Sequence, residues 1–225
     1  MYIVLWLEGP LQSWGHDSKF GVRETLPFPT KSGVLGMMLA ALGKGGPQRD
    51  LLNRLSPLPH QVISYCSSIK MTDYQMIGSG YSSKGWQSLL IPRKRDGGFS
   101  VGGGSKILYK QYLQDARFAV AAAVPDDLCA EIADALCMPV WPICLGRKNC
   151  VPSSPVFVGT CDSESDVETL LAPVVENMRV QFRVIEGNHP DQGEVLVLND
   201  VPVCFGDHKE YESRYVTVIK ELNDE

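Results

Sequence analysis

The spacing of apolar residues predicts the main elements of this chain. Residues 2–7 are apolar at every position, which is typical of a central strand that is buried on both faces. Residues 115–124 predict another strand, because apolar residues recur at alternate positions. Residues 30–42 predict an apolar helix that ends at Gly43.

Further elements complete an alternating order of strands and helices. Helices are predicted from Pro47, from Pro125 and, with a capping box, over Ser165 and Glu168, and strands over residues 61–71, 178–184, 194–198 and 214–219. The order strand, helix, strand, long insertion, strand, helix, strand is the ferredoxin-like βαββαβ pattern. RNA-recognition modules share this layout. The predicted fold class is therefore α+β, as a single domain over residues 1–225.

The insertion at residues 78–107 predicts a long, glycine-rich and basic loop. It contains eight glycines and five Lys or Arg residues against one acidic residue. Such a segment has too little apolar surface to fold firmly alone, but it can become ordered against a phosphate backbone. Its candidate RNA-binding residues are Lys84, Trp86, Arg93 and Lys106. The alternative is a solvated loop without a ligand.

The start of the helix predicted at residues 30–42 is a candidate anion site. A helix start presents unpaired backbone N–H groups at the positive end of the helix dipole. Thr30 or Ser32 can cap this helix. Lys31 adds a positive charge, and the backbone as far as Gly33 supplies N–H donors. The alternative is a capped core helix whose Lys31 is merely solvated.

Two loops and one basic pair supply the remaining candidates for RNA contacts. These residues are Gln12, Trp14, Lys19, Arg23, Arg147 and Lys148. Trp14 can stack on a base or cover the edge of the core. The basic pair Arg147–Lys148 follows Gly146, which allows a close approach of the backbone to a ligand. The alternative for the basic residues is an exposed, solvated position.

Charge is divided between the two halves of the chain. Residues 1–120 contain 14 Lys or Arg and 7 Asp or Glu, whereas residues 121–225 contain 7 and 19, so the halves carry +7 and −12. A basic half can bind a polyanion while an acidic half faces basic partners. The N-terminus has no basic leader, and no apolar run approaches the roughly 20 residues that span a bilayer. We therefore expect a cytoplasmic protein without membrane contact.

Four segments in order carry a resemblance to a known family. They are G-P-L-Q-S-W-G at residues 9–15, F-P-T-K-S-G-V-L-G at 28–36, Y-L-Q-D-A-R-F at 112–118, and C-L-G-R-K-N-C at 144–150, with P-V-F-V-G-T-C following at 155–161. The chain resembles the CasD family, the fifth-family subunits of CRISPR Cascade surveillance complexes. It is most similar to the I-E subtype. Several motifs in the right order are far more specific than any one of them.

The resemblance implies both an architecture and a role. The architecture is a ferredoxin-like domain of the RAMP superfamily with a thumb hairpin at about residues 76–111 and a C-terminal strand-rich extension at about residues 162–225. The role is a non-catalytic subunit for antiviral defence that binds and caps the 5′ handle of the CRISPR RNA (crRNA). The implied partners are this crRNA, a CasC-type backbone subunit, a CasA-type large subunit and, within the complex, target DNA.

One branch of the same family implies an alternative activity. In Cascades of another subtype, that branch trims the precursor crRNA and is thought to use a Tyr, a Lys and a His. The alternative for this chain is therefore a metal-independent endoribonuclease. Its four histidines lie far apart in the sequence, and only His16 is near the N-terminal motifs. The chain therefore shows no obvious general base, and we predict no catalytic residue. The seven cysteines are irregularly spaced, so we also predict no metal site, and we expect no cofactor.

Overall fold

Two β-sheets and four helices make up the part of the chain that the computed structural model describes, residues 1–16, 18, 21–77, 95 and 106–221. The strands are β1 (Tyr2–Glu8), β2 (Leu11–Gln12), β3 (Val22–Arg23), β4 (His60–Ser64), β5 (Ile69–Ile77), β6 (Lys106–Gln114), β7 (Arg117–Ala123), β8 (Phe157–Cys161), β9 (Phe182–Glu186), β10 (Glu194–Cys204) and β11 (Glu210–Lys220). The helices are α1 (Lys31–Ala41), α2 (Arg49–Leu55), α3 (Asp126–Cys137) and α4 (Val167–Leu171). None of the helices within these ranges combines the length and the apolar character needed to cross a bilayer.

The larger sheet has seven strands in the order β10-β11-β9-β4-β7-β1-β8, and each neighbouring pair is antiparallel. Strand β1 lies between β7 and β8. Its residues Ile3 and Leu5 belong to the apolar cluster on one face, whereas Val4 and Trp6 belong to the cluster on the other. The prediction of a central strand buried on both faces is confirmed, and so is the α+β class in this coarse sense.

Helices cover both faces of the larger sheet. On one face, α1 buries Val34, Leu35 and Met38 in the main cluster, to which α2 and α3 also contribute. On the other face, α4 buries Val167 and Leu171 in the second cluster. Burying each large apolar side chain stabilises the fold by about 1.5–3 kcal/mol, which fixes α1 on the sheet.

Strands β5 and β6 form a long antiparallel hairpin at the centre of the smaller sheet. Their register runs from Ile69 opposite Gln114 to Ile77 opposite Lys106. β2 pairs with β6 in antiparallel fashion and β3 in parallel. The predicted glycine-rich insertion falls between β5 and β6, and its residues 78–94 and 96–105 lie outside the described residues.

Two predicted strands differ from the structure. The strand predicted over residues 61–71 is divided into β4 and β5, because the chain leaves the larger sheet after Tyr65 and enters the smaller one at Ile69. The strand predicted over residues 178–184 begins only at Phe182. Met178 and Val180 pack instead on the second apolar cluster, and a segment that lies on a sheet face produces the same alternating pattern.

The predicted capping box is wrong. Ser165 lies inside a short 3-10 turn, Glu164–Asp166, and α4 follows it without a side-chain cap. The carboxylate of Glu168 forms an ion pair of 2.8 Å with Arg183 instead of reaching back to the helix start. The helices predicted from Pro47 and Pro125 are present as α2 and α3, and β10 and β11 are longer than the predicted strands.

Candidate nucleic-acid interface

An open groove of about 880 Å³ runs along one face of α1. Gly33, Gly36 and Ala40 lie three or four residues apart, so they share one helix face, and they line the groove. Because Gly36 and Ala40 have little or no side chain, the helix backbone there is accessible to a ligand, whereas the Trp14 ring fills the space beside Gly33. One wall comes from residues 141–148 and the other from residues 205–211; we call this recess the α1 groove.

The walls of the α1 groove carry exposed cations. Lys44, Lys148 and Lys209 line it, and all three are exposed. Within the described part of the chain, none of the three forms an ion pair. Three free ammonium groups around one recess provide a binding surface for phosphates.

Two aromatic rings complete the walls. Trp141 is 44% exposed and Tyr211 is 41% exposed, and both line the groove. Phe205 packs edge-to-face against Tyr211 with the ring centroids 6.4 Å apart. The Trp141 ring lies over Gly45, where a Cβ atom would stand 2.9 Å from Cη2 of the indole. Half-exposed rings held in this way can stack on unpaired bases.

The start of α1 already binds a negatively charged group of the protein, the carboxylate of Asp200. The backbone N–H of Lys31 donates to Oδ2 of Asp200 at 2.7 Å, and Thr30 Oγ1 accepts from the Gly33 N–H at 3.1 Å. Thr30 is therefore the cap, as one of the two predicted alternatives. The prediction that these N–H groups are available to bind a phosphate is wrong for Lys31, because its N–H already donates to the Asp200 carboxylate.

Lys31 itself is part of the interior. Its side chain is 3% exposed, and Nζ donates to the Leu58 carbonyl at 2.8 Å and to Glu186 Oε1 at 2.7 Å. Burial lowers the pKa of Lys31, and the partner Glu186 opposes this shift. The prediction of a charge exposed beside the groove is wrong, since this ammonium is paired within the core. Thr30, Ser32 and Gly33 do line the groove.

Gln12 and Trp14 are structural residues. Both are fully buried. The Gln12 amide donates to the carbonyls of Leu7 at 3.0 Å and Ala116 at 2.8 Å, and its Oε1 accepts from Trp14 Nε1 at 3.1 Å. A Cβ on Gly33 would lie 2.9 Å from the Trp14 ring, so this ring fixes α1 rather than stacking on a base. The expectation of RNA contacts is corrected for both side chains: Gln12 does not line the α1 groove, and Trp14 lines it with a ring that is fully buried and so has no exposed face for a base.

The structure separates the predicted basic pair. Arg147 is half-buried: Nη2 donates to the carbonyl of Arg23 at 3.0 Å, and the guanidinium lies 4.8 Å from the centroid of the Tyr112 ring. Its Nη1 is buried and has no hydrogen-bond partner among the described residues. Arg147 thus holds the segment around Arg23, whose own side chain donates to the Val22 carbonyl at 3.1 Å. Only Lys148 reaches the α1 groove.

Gly146 makes a close approach to protein rather than to a ligand. Its φ is +89°, and an added Cβ would collide with the carbonyl oxygen of Ser13. The backbone here joins the loop after β1 to the loop that carries Lys148, since the Ser13 N–H donates to the Leu145 carbonyl at 3.1 Å. Lys19, Lys84, Trp86 and Arg93 lie outside the described residues, and Lys106 is described only as the first residue of β6.

Four residues of the groove were missed from the sequence: Lys44, Trp141, Lys209 and Tyr211. One available signal was the spacing of Gly33, Gly36 and Ala40, which marks a bare helix face. Another was the position of Lys44 beside the glycines that end α1. Trp141 and Tyr211 carry no such signal, because only the tertiary fold brings their loops to α1.

Comparison with known proteins identifies the family. The family model described as CRISPR-associated protein (Cas_Cas5) matches residues 2–218. The chain belongs to the Cas5 family. The resemblance inferred from the four motifs is thereby confirmed. A relative, the CRISPR system Cascade subunit CasD of Escherichia coli (strain K12), is 31% identical over 175 residues, which cover 76% of this chain and 75% of that protein.

Solved structures agree with this assignment to the Cas5 family. A chain of a CRISPR RNA-guided surveillance complex matches with a TM-score of 0.75 and 27% identity, covering 98% of this chain and 90% of that one. A crystal structure of a Cas protein matches with a TM-score of 0.68 and 25% identity, covering 98% and 94%. In this Cas5 chain, three of the four sequence motifs meet at the α1 groove: residues of 9–15, 28–36 and 144–150 all line it.

Proposed function

We propose that this Cas5 chain is a non-catalytic, RNA-binding subunit of a type I CRISPR Cascade surveillance complex and that it holds the 5′ handle of the crRNA in the α1 groove. The observation that carries the proposal is the convergence of three family motifs and three exposed lysines on one recess. The names of the relatives, a Cascade subunit and an RNA-guided complex, support this assembly.

The groove suits single-stranded RNA. Lys44, Lys148 and Lys209 bind phosphates as point charges, and the half-exposed hydroxyl of Ser32 forms hydrogen bonds with the sugar and phosphate. Trp141 and Tyr211 stack on splayed bases, which only an unpaired strand offers. The bare face of α1 allows the sugar–phosphate backbone to approach closely.

The remaining predictions of architecture belong to the same proposal. In the larger sheet, the strand order β4-β7-β1-β8 with α1 after β1 and α3 after β7 supports a ferredoxin-like unit of the RAMP type. We assign β5, β6 and the segment between them as the thumb that contacts a CasC-type backbone subunit. β9, β10 and β11 form the C-terminal extension, whose acidic character suits contact with a CasA-type subunit.

In the assembled complex, target DNA is recognised by pairing with the guide RNA, and this chain holds the handle at one end. The subtype proposed is I-E, in which processing is the task of another subunit. For such a role, the chain needs affinity for RNA but no general base.

Binding of repeat-derived RNA by the purified full chain tests the proposal. Fluorescence anisotropy with a labelled 5′-handle RNA is measured for wild type and for the triple variant Lys44→Ala/Lys148→Ala/Lys209→Ala. Because each lost phosphate contact lowers the salt slope by about 0.7 for a single strand, we expect the slope to fall by about 2. Lys220→Ala is the matched control, since this exposed lysine is at the far end of β11, about 30 Å from Tyr211 at 3.3 Å a residue. Equal binding by wild type and triple variant would contradict the proposal.

Metal-independent cleavage of RNA is the alternative, and one pair of residues bears on it. His208 and Lys209 are adjacent, so a candidate base and a cation lie beside the groove. His208 lines an adjoining recess with Pro47 and Arg49, however, whereas a general base must reach the 2′-hydroxyl that it deprotonates. Incubation of repeat RNA with the chain in EDTA separates the two functions: intact RNA supports the scaffold, and a discrete cut supports the nuclease, with His16→Ala and His208→Ala as the variants that identify its base.

A further inference from the structure

An exposed apolar segment lies beside the α1 groove. From Cys137 to Pro142 the sequence is Cys-Met-Pro-Val-Trp-Pro, and all six residues are exposed. Met138 is 83% exposed and Val140 is 65% exposed. A run of this length on the surface of a folded domain is typical of a binding site, because exposed apolar side chains lower solubility. We call residues 137–142 the apolar platform.

The platform is held in one conformation by its backbone. The N–H groups of Val140 and Trp141 donate to the carbonyls of Ala41 and Ala40 at 2.9 and 3.2 Å, so the platform caps the end of α1. The N–H of Met138 donates to the Asp134 carbonyl at 3.0 Å and continues from α3. A surface fixed in this way loses little conformational entropy when a partner binds.

The two sides of the platform differ in charge. On the groove side, Trp141 and Pro142 line the recess that Lys44 and Lys148 also line. On the other side is α3, whose twelve residues include Asp126, Asp127, Glu131 and Asp134 and no Lys or Arg. Asp126 and Asp127 form ion pairs with the N-terminus and Arg54, whereas Glu131 and Asp134 are exposed and form none within the described ranges.

This pattern decides which class of macromolecule covers Met138 and Val140. Neither residue lines the α1 groove, and neither can stack on a base or bind a phosphate. The neighbouring carboxylates of Glu131 and Asp134 repel a nucleic acid. They are complementary to Lys or Arg side chains at the rim of a protein interface.

We propose that the apolar platform and the acidic side of α3 together dock a second protein subunit, one that presents an apolar pocket bordered by Lys or Arg. Met138 and Val140 enter the pocket, and Glu131 and Asp134 pair with its basic rim. The partner would then cover the chain next to the RNA without displacing it. This inference uses the proposed membership of an assembly but is independent of RNA binding in the groove.

A photo-cross-linker identifies the occupant directly. p-Benzoylphenylalanine is placed at position 138 of the full chain, which is coexpressed with the other Cascade subunits and crRNA, and irradiated complexes are analysed by mass spectrometry. The control places the cross-linker at position 151, since Val151 is 61% exposed but lies outside the platform, the α1 groove, the thumb and the C-terminal extension. We expect position 138 to cross-link to a protein subunit at a site flanked by Lys or Arg. A cross-link to RNA, to a second copy of this chain, or to nothing while the complex forms would overturn the proposal.

Charge and apolar variants provide a second readout. Met138→Asp/Val140→Asp and Glu131→Lys/Asp134→Lys should each lower the fraction of complex that retains the partner at least tenfold, measured by native mass spectrometry. Val151→Asp is the matched control, because Val151 is 61% exposed and lies outside both the platform and the C-terminal extension. All these side chains are exposed, so thermal unfolding should be unchanged. Wild-type retention in both double variants contradicts the docking surface, whereas failure of the wild-type chain to copurify with any subunit rejects the assembly and this inference together.

Discussion

The carboxylate of Asp200 on β10 accepts a 2.7 Å hydrogen bond from the backbone N–H of Lys31, the first residue of α1. Arg214 on β11 donates to both oxygens of the same carboxylate, at 2.6 and 2.8 Å. A helix start favours a negative charge, so Asp200 stabilises α1 through the dipole as well as the hydrogen bond. The C-terminal strands therefore fix the helix whose other face forms the α1 groove.

Removing Asp200 should destabilise the whole fold. Asp200→Ala leaves Arg214 with a single carboxylate partner, Glu186, in a site where Asp200 is 3% exposed. Breaking a buried ion pair costs about 3–5 kcal/mol of unfolding free energy, which urea denaturation measures. Glu210→Ala is the control: its pair with Arg49 is half-exposed, so solvent screens the pair and we expect a much smaller loss of stability. Equal losses of unfolding free energy in the two variants would show that the Asp200–Arg214 ion pair stabilises the fold no more than an exposed ion pair does.

His60 should make the fold sensitive to acid. Burial, with Arg214 and Lys31 nearby, lowers the pKa of His60 well below its ordinary value. On acidification below about pH 6.5, the unfolded chain therefore binds a proton that the folded chain does not, so stability falls with a slope of up to about 1.4 kcal/mol per pH unit. Above about pH 6.5, His60 is neutral in both the folded and the unfolded chain, so it no longer makes the stability depend on pH.

The variant His60→Leu isolates this effect. Urea unfolding of wild type and variant between about pH 5 and pH 7 gives the difference in stability, from which carboxylate titrations common to both proteins cancel. The wild type should lose more stability than the variant as the pH falls. Parallel curves would mean that the folded protein protonates His60 as readily as the unfolded chain does.

The sequence could predict the elements whose burial is local. Residues 2–7 of β1 are apolar at every position, and the helix start at Thr30 has a capping residue followed by an apolar run, so both elements were predicted to within about one residue. The partners of Lys31 could not be predicted in this way. Asp200 and Glu186 lie about 150 or more residues away, and nothing in the local spacing shows that a lysine at a helix start turns into the core.

Because local spacing does not show long-range contacts, only part of the candidate site could be predicted. The sequence indicated the motifs around residues 9–15, 28–36 and 144–150, and these do meet at one groove. It did not indicate which side chains of each motif face that groove. Arg147 and Lys148 are neighbours in sequence, yet one packs on Tyr112 and the other lines the groove, because adjacent residues in a turn face different directions.

Gly146 should not tolerate a side chain. Its φ of +89° is costly for other residues by about 1–3 kcal/mol, and the Cβ of Gly146→Ala would also meet the Ser13 carbonyl oxygen. We expect lower stability in thermal unfolding, together with weaker RNA binding because the loop that carries Lys148 shifts. Gly15→Ala is the control for stability, since no atom beyond its two chain neighbours lies within 4 Å of its added Cβ. A Gly146→Ala protein as stable as Gly15→Ala would mean that this loop rearranges without cost.

The salt dependence of RNA binding should distinguish the stacking contacts of the aromatic residues from the phosphate contacts of the lysines. Trp141→Ala and Tyr211→Ala each remove a ring from the wall of the α1 groove without changing its charge. Loss of one stacked base costs about 1–3 kcal/mol of binding free energy, and the slope of log K against log salt should stay as in wild type. Lys148→Ala should instead lower that slope by about 0.7, because one phosphate contact is lost. Titrations by fluorescence anisotropy between about 50 and 200 mM salt distinguish the two patterns. If the aromatic variants bound with wild-type affinity while Lys148→Ala weakened binding, the groove would hold the RNA backbone and leave the bases in solvent.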